Sequence, residues 1–131
     1  KPRMDLTPDE IILLESHTLR GKDILSRIPS IPEEVARVAS EHHENQMGRG
    51  YPYRLTRMRI HPLASLVGTV NEFCELVLVP VNSNGKSASE ALEYLYNFKK
   101  EELNRHVLKA LMNLFHFPIP KDMAGLVAPK I

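Results

Sequence analysis

The chain has 131 residues, 43% hydrophobic and 25% charged, which fits one globular domain and argues against wholesale disorder. Its 17 Lys and Arg against 16 Asp and Glu leave a formal net charge of +1, a poor basis for binding a nucleic-acid polymer through its phosphates. Cys74 alone can form neither an internal disulfide nor a CxxC zinc ribbon, and no apolar run reaches the ~18–20 residues of a membrane span.

The first expected helix opens at Thr7-Pro8-Asp9-Glu10, which reads as N-cap, first-position proline and a glutamate completing a capping box. Its apolar positions Ile11, Leu14, Leu19 and Leu25 carry it to about Arg27, with Gly21 marking a kink or a close approach. A second helix is expected from Ser30 to Glu44, with Ile31, Val35, Val38 and Ala39 on its apolar stripe and His42 one turn beyond Val38. Residues 45–61 hold Asn45, Gly48, Gly50, Pro52 and Arg49, Arg54, Arg57 and Arg59 without sustained periodicity. They read as a long loop, a kind of segment that is disproportionately functional.

A third helix is expected over Pro62–Val77, with a short strand as an option at Val77–Val81, and Ser83-Asn84-Gly85 reads as a turn. Ser87-Ala88-Ser89-Glu90 is a second capping box, opening a helix with Ala91, Leu92, Leu95 and Tyr96 on one side. A last helix covers Glu101–Phe115, and the segment from Phe117, with Pro118, Pro120 and Pro129, reads as an extended arm. This predicts an all-α chain of four or five helices in a bundle-like domain, 1–117, with a proline-containing tail, 118–131. Core candidates are Ile11, Leu14, Leu25, Val35, Val38, Leu66, Val70, Phe73, Leu92, Leu95, Val107, Leu111 and Leu114.

The chemistry concentrates in Glu41-His42-His43-Glu44 and the following Gly48-Arg49-Gly50-Tyr51-Pro52. Imidazole is the commonest protein ligand for first-row metals, and carboxylates often orient it. Neighbouring histidines on a helix point ~100° apart, so the pair serves two adjacent metals, or one metal and a substrate, more easily than one metal. His17 is a third candidate ligand, on a segment able to pack beside the second helix. The competing reading is solvated histidines at a helix end, a packing tyrosine and a solvated arginine face. His61, His106 and His116 have less to recommend them as ligands.

The order His42-His43-Glu44, three residues, Gly48, one residue, Gly50-Tyr51-Pro52 resembles the HHExxDGxGYP signature of the HD-GYP family. The likeness runs without a gap over about residues 6–115. His17-Thr18-Leu19-Arg20-Gly21-Lys22-Asp23-Ile24-Leu25 is similar to the family's HPxxGxxIL stretch, and Val70-Asn71-Glu72-Phe73-Cys74-Glu75-Leu76 to its VADxFDAL motif. The resemblance implies an HD-domain-like helical bundle, of which this chain is the C-terminal half. It implies a cytoplasmic, metal-dependent phosphodiesterase hydrolysing cyclic di-GMP, or a related cyclic dinucleotide, in bacterial second-messenger signalling. The family's centre holds two or three metals, commonly iron or manganese, here completed by residues absent from this chain. By position His17, His42, His43 and, weakly, Asn71 fall on metal ligands, and Glu44 supports them. Tyr51, Arg49 and Arg54 fall on the substrate side, and a GGDEF-type or other protein partner and a dimer are compatible with the family pattern.

The departures from that pattern are marked. The eponymous His-Asp pair is absent from a sequence that opens at Lys1, without Met or a signal-peptide pattern, so a partial or processed chain is expected. Asn71, Met47 and Cys74 stand where the family has aspartates, and Val79-Pro80-Val81-Asn82 replaces its DRPY. Thr18 replaces the proline of HP. The alternative implied is a catalytically degenerate module that binds nucleotide or a protein partner without turnover.

Overall fold

The computed structural model describes residues 3–78 and 84–127. Six α-helices stand among them: α1 (Pro8–Glu15), α2 (His17–Ser26), α3 (Glu33–Glu41), α4 (Pro62–Val77), α5 (Ala88–Phe98) and α6 (Arg105–Leu114). Three short 3-10 turns accompany them, at Arg3–Asp5, Arg57–Arg59 and Lys121–Met123, and the all-α class is as expected. Val79 to Ser83, and with them most of the optional strand, the segment in place of DRPY and the start of the turn, lie outside the described residues. The chain divides into two compact units, residues 1–64 and 65–131.

In the first unit the expected opening helix is present as two. Thr7 caps α1 with a full capping box, its hydroxyl accepting from Glu10 N–H and the Glu10 carboxylate accepting from Thr7 N–H. The break comes at Ser16, not at Gly21. There Ser16 Oγ donates to Leu13 O and Thr18 Oγ1 to Glu15 O, and such back-bonding bends helices. Gly21 instead marks close packing, since a Cβ there would lie 3.6 Å from Ala39 Cβ as α2 packs on α3. The break ends the expected continuous stripe. No residue of α1 is buried, and Leu14, expected in the core, is exposed. On α3 the buried positions are Ala36, Ser40 and Glu41, which rotates Val35 out to solvent.

In the second unit α5 begins at the Ser87 capping box as the sequence indicates. α6 starts later than expected, because Asn104 is its N-cap, accepting from His106 and Val107 N–H. Asn104 also donates through its N–H to Thr69 Oγ1 at 3.0 Å and through its amide to Ser65 Oγ at 3.1 Å, which ties α6 to α4. Phe73, Leu92, Leu95, Leu103, Leu108, Leu111, Met112 and Met123 form the core. α6 buries Val107, Leu108, Leu111 and Met112, so the stripe runs one residue off the expected one and leaves Leu114 69% exposed. Ile11, Leu25, Val38, Leu66 and Val70 are half-buried.

The segment after Phe117 does not run free. Met123 is fully buried, Phe117, Ile119 and Leu126 pack against the core, and Lys109 Nζ donates to Ala124 O and Leu126 O. Apolar residues between the prolines drive this return, which a proline count alone conceals. Leu108→Ala should destabilise the second unit by ~2–5 kcal/mol through lost burial and a cavity. Leu114→Ala should cost under ~0.5 kcal/mol, as surface changes do, and urea unfolding of both variants checks the contrast.

Candidate metal centre

The first unit's site is built on the early end of α3. The helix stops at Glu41, and His42 is its C-cap, with its N–H on Val38 O at 3.0 Å. His43 lies beyond it in a turn closed by Glu44 N–H donating to Glu41 O at 2.8 Å. The expectation that adjacent histidines diverge assumed a helix running to Glu44, and the structure corrects it. The His42 and His43 ring centroids are 4.2 Å apart. His17, the first residue of α2, lies 5.4 Å from His42 and 5.0 Å from His43 between ring centroids. One ring nitrogen from each of the three lies within 4.8 Å of the others.

Hydrogen bonding orients two of these rings. The Nδ1–H of His17 donates to Leu14 O at 2.6 Å, and that of His42 donates to Ala39 O at 2.9 Å and Val38 O at 3.1 Å. A carbonyl oxygen only accepts, so Nδ1 of each ring carries a proton and Nε2 is the atom turned toward the other ring. Those two Nε2 atoms face each other at 3.4 Å. His43 is pulled down to about 4 by burial, then by His42, His17 and Arg3, and so is neutral near pH 7. Three imidazoles that bring one ring nitrogen each to within 4.8 Å of the others are a donor set that fits a first-row transition metal.

The loop over the site is fastened to the same backbone. Glu44 does not reach a histidine ring; its two carboxylate oxygens accept Tyr53 N–H at 2.6 Å and Leu55 N–H at 2.8 Å. Gly48 has a φ of 75°, a left-handed conformation that favours glycine. A Cβ on Gly50 would lie 2.3 Å from His43 O and 2.6 Å from Asn45 N, so only glycine fits where the loop returns. Tyr51 N–H then donates to His43 O at 3.2 Å. The far end of the loop is held by Glu41, which is 3% exposed and accepts His61 N–H at 3.0 Å while pairing with Arg37 at 2.8 Å.

Of the six histidines, three converge. His61 Nδ1 instead accepts Leu63 N–H in the first turn of α4, His106 Nδ1–H donates to Val127 O, and His116 follows α6 with a φ of 56°. Arg49 and Arg54 are exposed on the loop. Asn71 belongs to the second unit, on α4, where its amide donates to Glu75 at 3.1 Å. Sequence reasoning passed over Arg3, whose guanidinium lies 5.5 Å over the Tyr51 ring and pairs with Glu15. No spacing pattern joins residues 3 and 51. It also passed over the anchoring role of Glu41, for which the i,i+4 spacing from Arg37 is a readable signal.

The His43 shift carries a stability consequence for metal-free protein. Between pH about 6.5 and about 4 the unfolded chain binds this proton and the folded chain does not. Stability is therefore full above that window and falls as pH falls through it. Thermal midpoints measured against pH should show this slope in the parent, and His43→Asn should flatten it.

Comparison with known proteins identifies relatives of the chain. Residues 1–126 match the HD domain family. The chain is 31% identical over 110 residues to a cyclic di-GMP phosphodiesterase of Thermotoga maritima, an alignment covering 83% of this chain and 30% of that protein. The chain thus spans under a third of that relative's length. Its fold matches a solved HDG"Y"P protein from Bdellovibrio bacteriovorus with a TM-score of 0.71 at 21% identity, over 88% of this chain and 36% of the other. With the HHE and GYP segments in place, this chain belongs to the HD-domain family, in its HD-GYP branch.

Proposed function

We propose that this chain forms part of a metal-dependent phosphohydrolase acting on a cyclic dinucleotide, cyclic di-GMP by analogy with the Thermotoga relative, in bacterial second-messenger signalling. One observation carries the reading: one ring nitrogen from each of His17, His42 and His43 lies within 4.8 Å of the others, with the Nε2 atoms of His17 and His42 3.4 Å apart and both Nδ1–H groups already donated to carbonyls. A ligating histidine commonly hands its other N–H to a carbonyl or carboxylate, as His17 and His42 do here. His17, His42 and His43 would hold the metal. When bound, it supplies Lewis acidity toward a phosphoryl oxygen and activates water near neutral pH.

The rest of the proposal concerns the chain's own groups. A centre of two or three metals, iron or manganese, is the family expectation, and three imidazoles favour iron, since manganese suits carboxylate and water ligands better. Glu44 holds the loop in place through Tyr53 and Leu55 N–H, which keeps Arg49 and Arg54 on one short, braced segment. Those two arginines would meet the substrate phosphates with charge-assisted hydrogen bonds. The second reading, binding without turnover, has one observation in its favour. Among the described residues no carboxylate joins the three histidines.

Elemental analysis of the purified protein against His42→Ala and His43→Ala tests the proposal. Stoichiometric iron or manganese should be present in the parent and lost in both variants; a parent without metal would sink it. With metal established, cleavage of cyclic di-GMP separates the hydrolase from the binding module. Arg49→Ala and Arg54→Ala should each weaken cyclic di-GMP binding and flatten its salt dependence, read by calorimetry at two ionic strengths. Unchanged affinity in both would remove the loop arginines from the substrate site.

A further inference from the structure

The three candidate ligands are not held in the same way. His17 and His42 each have a ring N–H on a carbonyl of their own helix or the helix before it. Among the described residues neither ring nitrogen of His43 has a hydrogen-bond partner, and its described hydrogen bond is through its backbone carbonyl. His43 also sits past the end of α3, in a turn, where no helix restricts its rotamer. A ring held by no hydrogen bond depends on packing for its orientation, and an unset orientation costs side-chain entropy on binding a metal.

The His43 ring is packed by His42, His17 and, from the loop, Tyr51, which alone lies flat against it. The two rings lie flat on one another, centroids 4.9 Å apart at 15° between planes. The tyrosine ring also stands edge-on to His17, at 6.3 Å and 78°. Its position is fixed by backbone, not by chance packing. Gly50 passes against His43 O at a distance no side chain allows, Tyr51 N–H donates to that same oxygen, and Glu44 ties down the two odd-numbered residues that follow.

We propose that Tyr51 is a positioning residue for His43, its flat aromatic face doing for this ligand what carbonyl hydrogen bonds do for His17 and His42. The inference rests on the metal-site reading and deepens it. It gives the tyrosine of the Gly-Tyr-Pro segment a role through a ligand instead of through substrate. A phenyl ring can supply the same face, so the hydroxyl is dispensable to this role. A branched aliphatic side chain fills similar space without a planar surface.

The test measures Co²⁺ affinity of the whole protein, by competition with a chromophoric chelator and by the cobalt d–d absorption. It uses the parent, Tyr51→Phe, Tyr51→Leu, His43→Ala and the His43→Ala/Tyr51→Leu double variant, with circular dichroism to confirm folding. Tyr51→Phe should stay within about twofold of the parent with the same spectrum. Tyr51→Leu should weaken binding ~10-fold or more, the usual scale for losing a ligand's orienting partner. In the His43→Ala background the leucine substitution should add nothing. Equal affinity of Tyr51→Leu and parent overturns the inference, as does a Tyr51→Leu loss that persists undiminished without His43. A parent that takes up no Co²⁺ overturns the metal-site reading itself, and the ligand role of His43 with it. If Tyr51→Leu is unfolded, the ring-current shift of the His43 proton signals in metal-free Tyr51→Phe decides: retained, it upholds the stack; lost, it overturns it.

Discussion

Two carboxylates bracket the histidine pair, and the candidate centre depends on what they accept. Glu41 takes His61 N–H, and Glu44 takes Tyr53 and Leu55 N–H. A 3-10 turn apart, the loop's backbone donors have no sheet or long helix of their own to satisfy them, and side-chain acceptors fill that role. The consequence is geometric. The loop must return to the segment it left, the helix must stop at Glu41, and His43 leaves the helical path so that its ring swings toward His42. Hydrogen bonds to an ionised carboxylate are worth about 1.5–3 kcal/mol each, more than the ordinary neutral bond.

That arrangement also separates charge from ligation. The carboxylates nearest in sequence are engaged by backbone amides, so the three gathered donors are imidazoles, with no carboxylate among them in the described residues. A dication held by neutral ligands keeps its full charge, and such a centre attracts an anionic diester more strongly than one balanced by aspartates. It is also a weaker holder of hard cations. In the proposed hydrolase the retained charge and the loop arginines point the same way, toward a ligand with phosphates.

Much of the fold was legible because it rests on local chemistry. Thr7 and Ser87 open helices with capping boxes that need only four residues to read, and Pro62–Val77 is a helix between the limits its sequence sets. What sequence could not supply was tertiary. The bend at Ser16 comes from side-chain hydroxyls turning back on carbonyls, a choice open to Ser and Thr in many straight helices. The tail's return needs Met123 to find a buried place beside Leu92 and Leu108. The site followed the same division. The residue types and their order marked His17, His42 and His43, but their convergence depends on α3 ending three residues early. The tyrosine was visible as part of a motif, and its stacking partner was not.

The departures from the family pattern then fall into place residue by residue. Met47 replaces an aspartate, yet its backbone holds the turn, with its N–H on Asn45 Oδ1 at 2.7 Å and a bridge to Thr56, while its side chain is 47% exposed. Cys74 packs against the apolar core of the second unit, where a small hydrophobe is at ease and an unpaired aspartate would be costly. Gly48, Gly50 and Glu44 are required by backbone conformation, close approach and unsatisfied amides, so their presence is explained by folding alone. The three histidines are not. The ring N–H groups of His17 and His42 go to carbonyls in the turn before them and their Nε2 atoms to each other, while the His43 ring nitrogens bond to none of the described residues. Three titratable rings brought to one point, one of them desolvated into its neutral form, cost the fold something, and among the described residues no backbone amide of the loop is satisfied by one of these rings in return. That imbalance is the physical argument for a ligand at this site, and it stands independently of the motif that first drew attention to it.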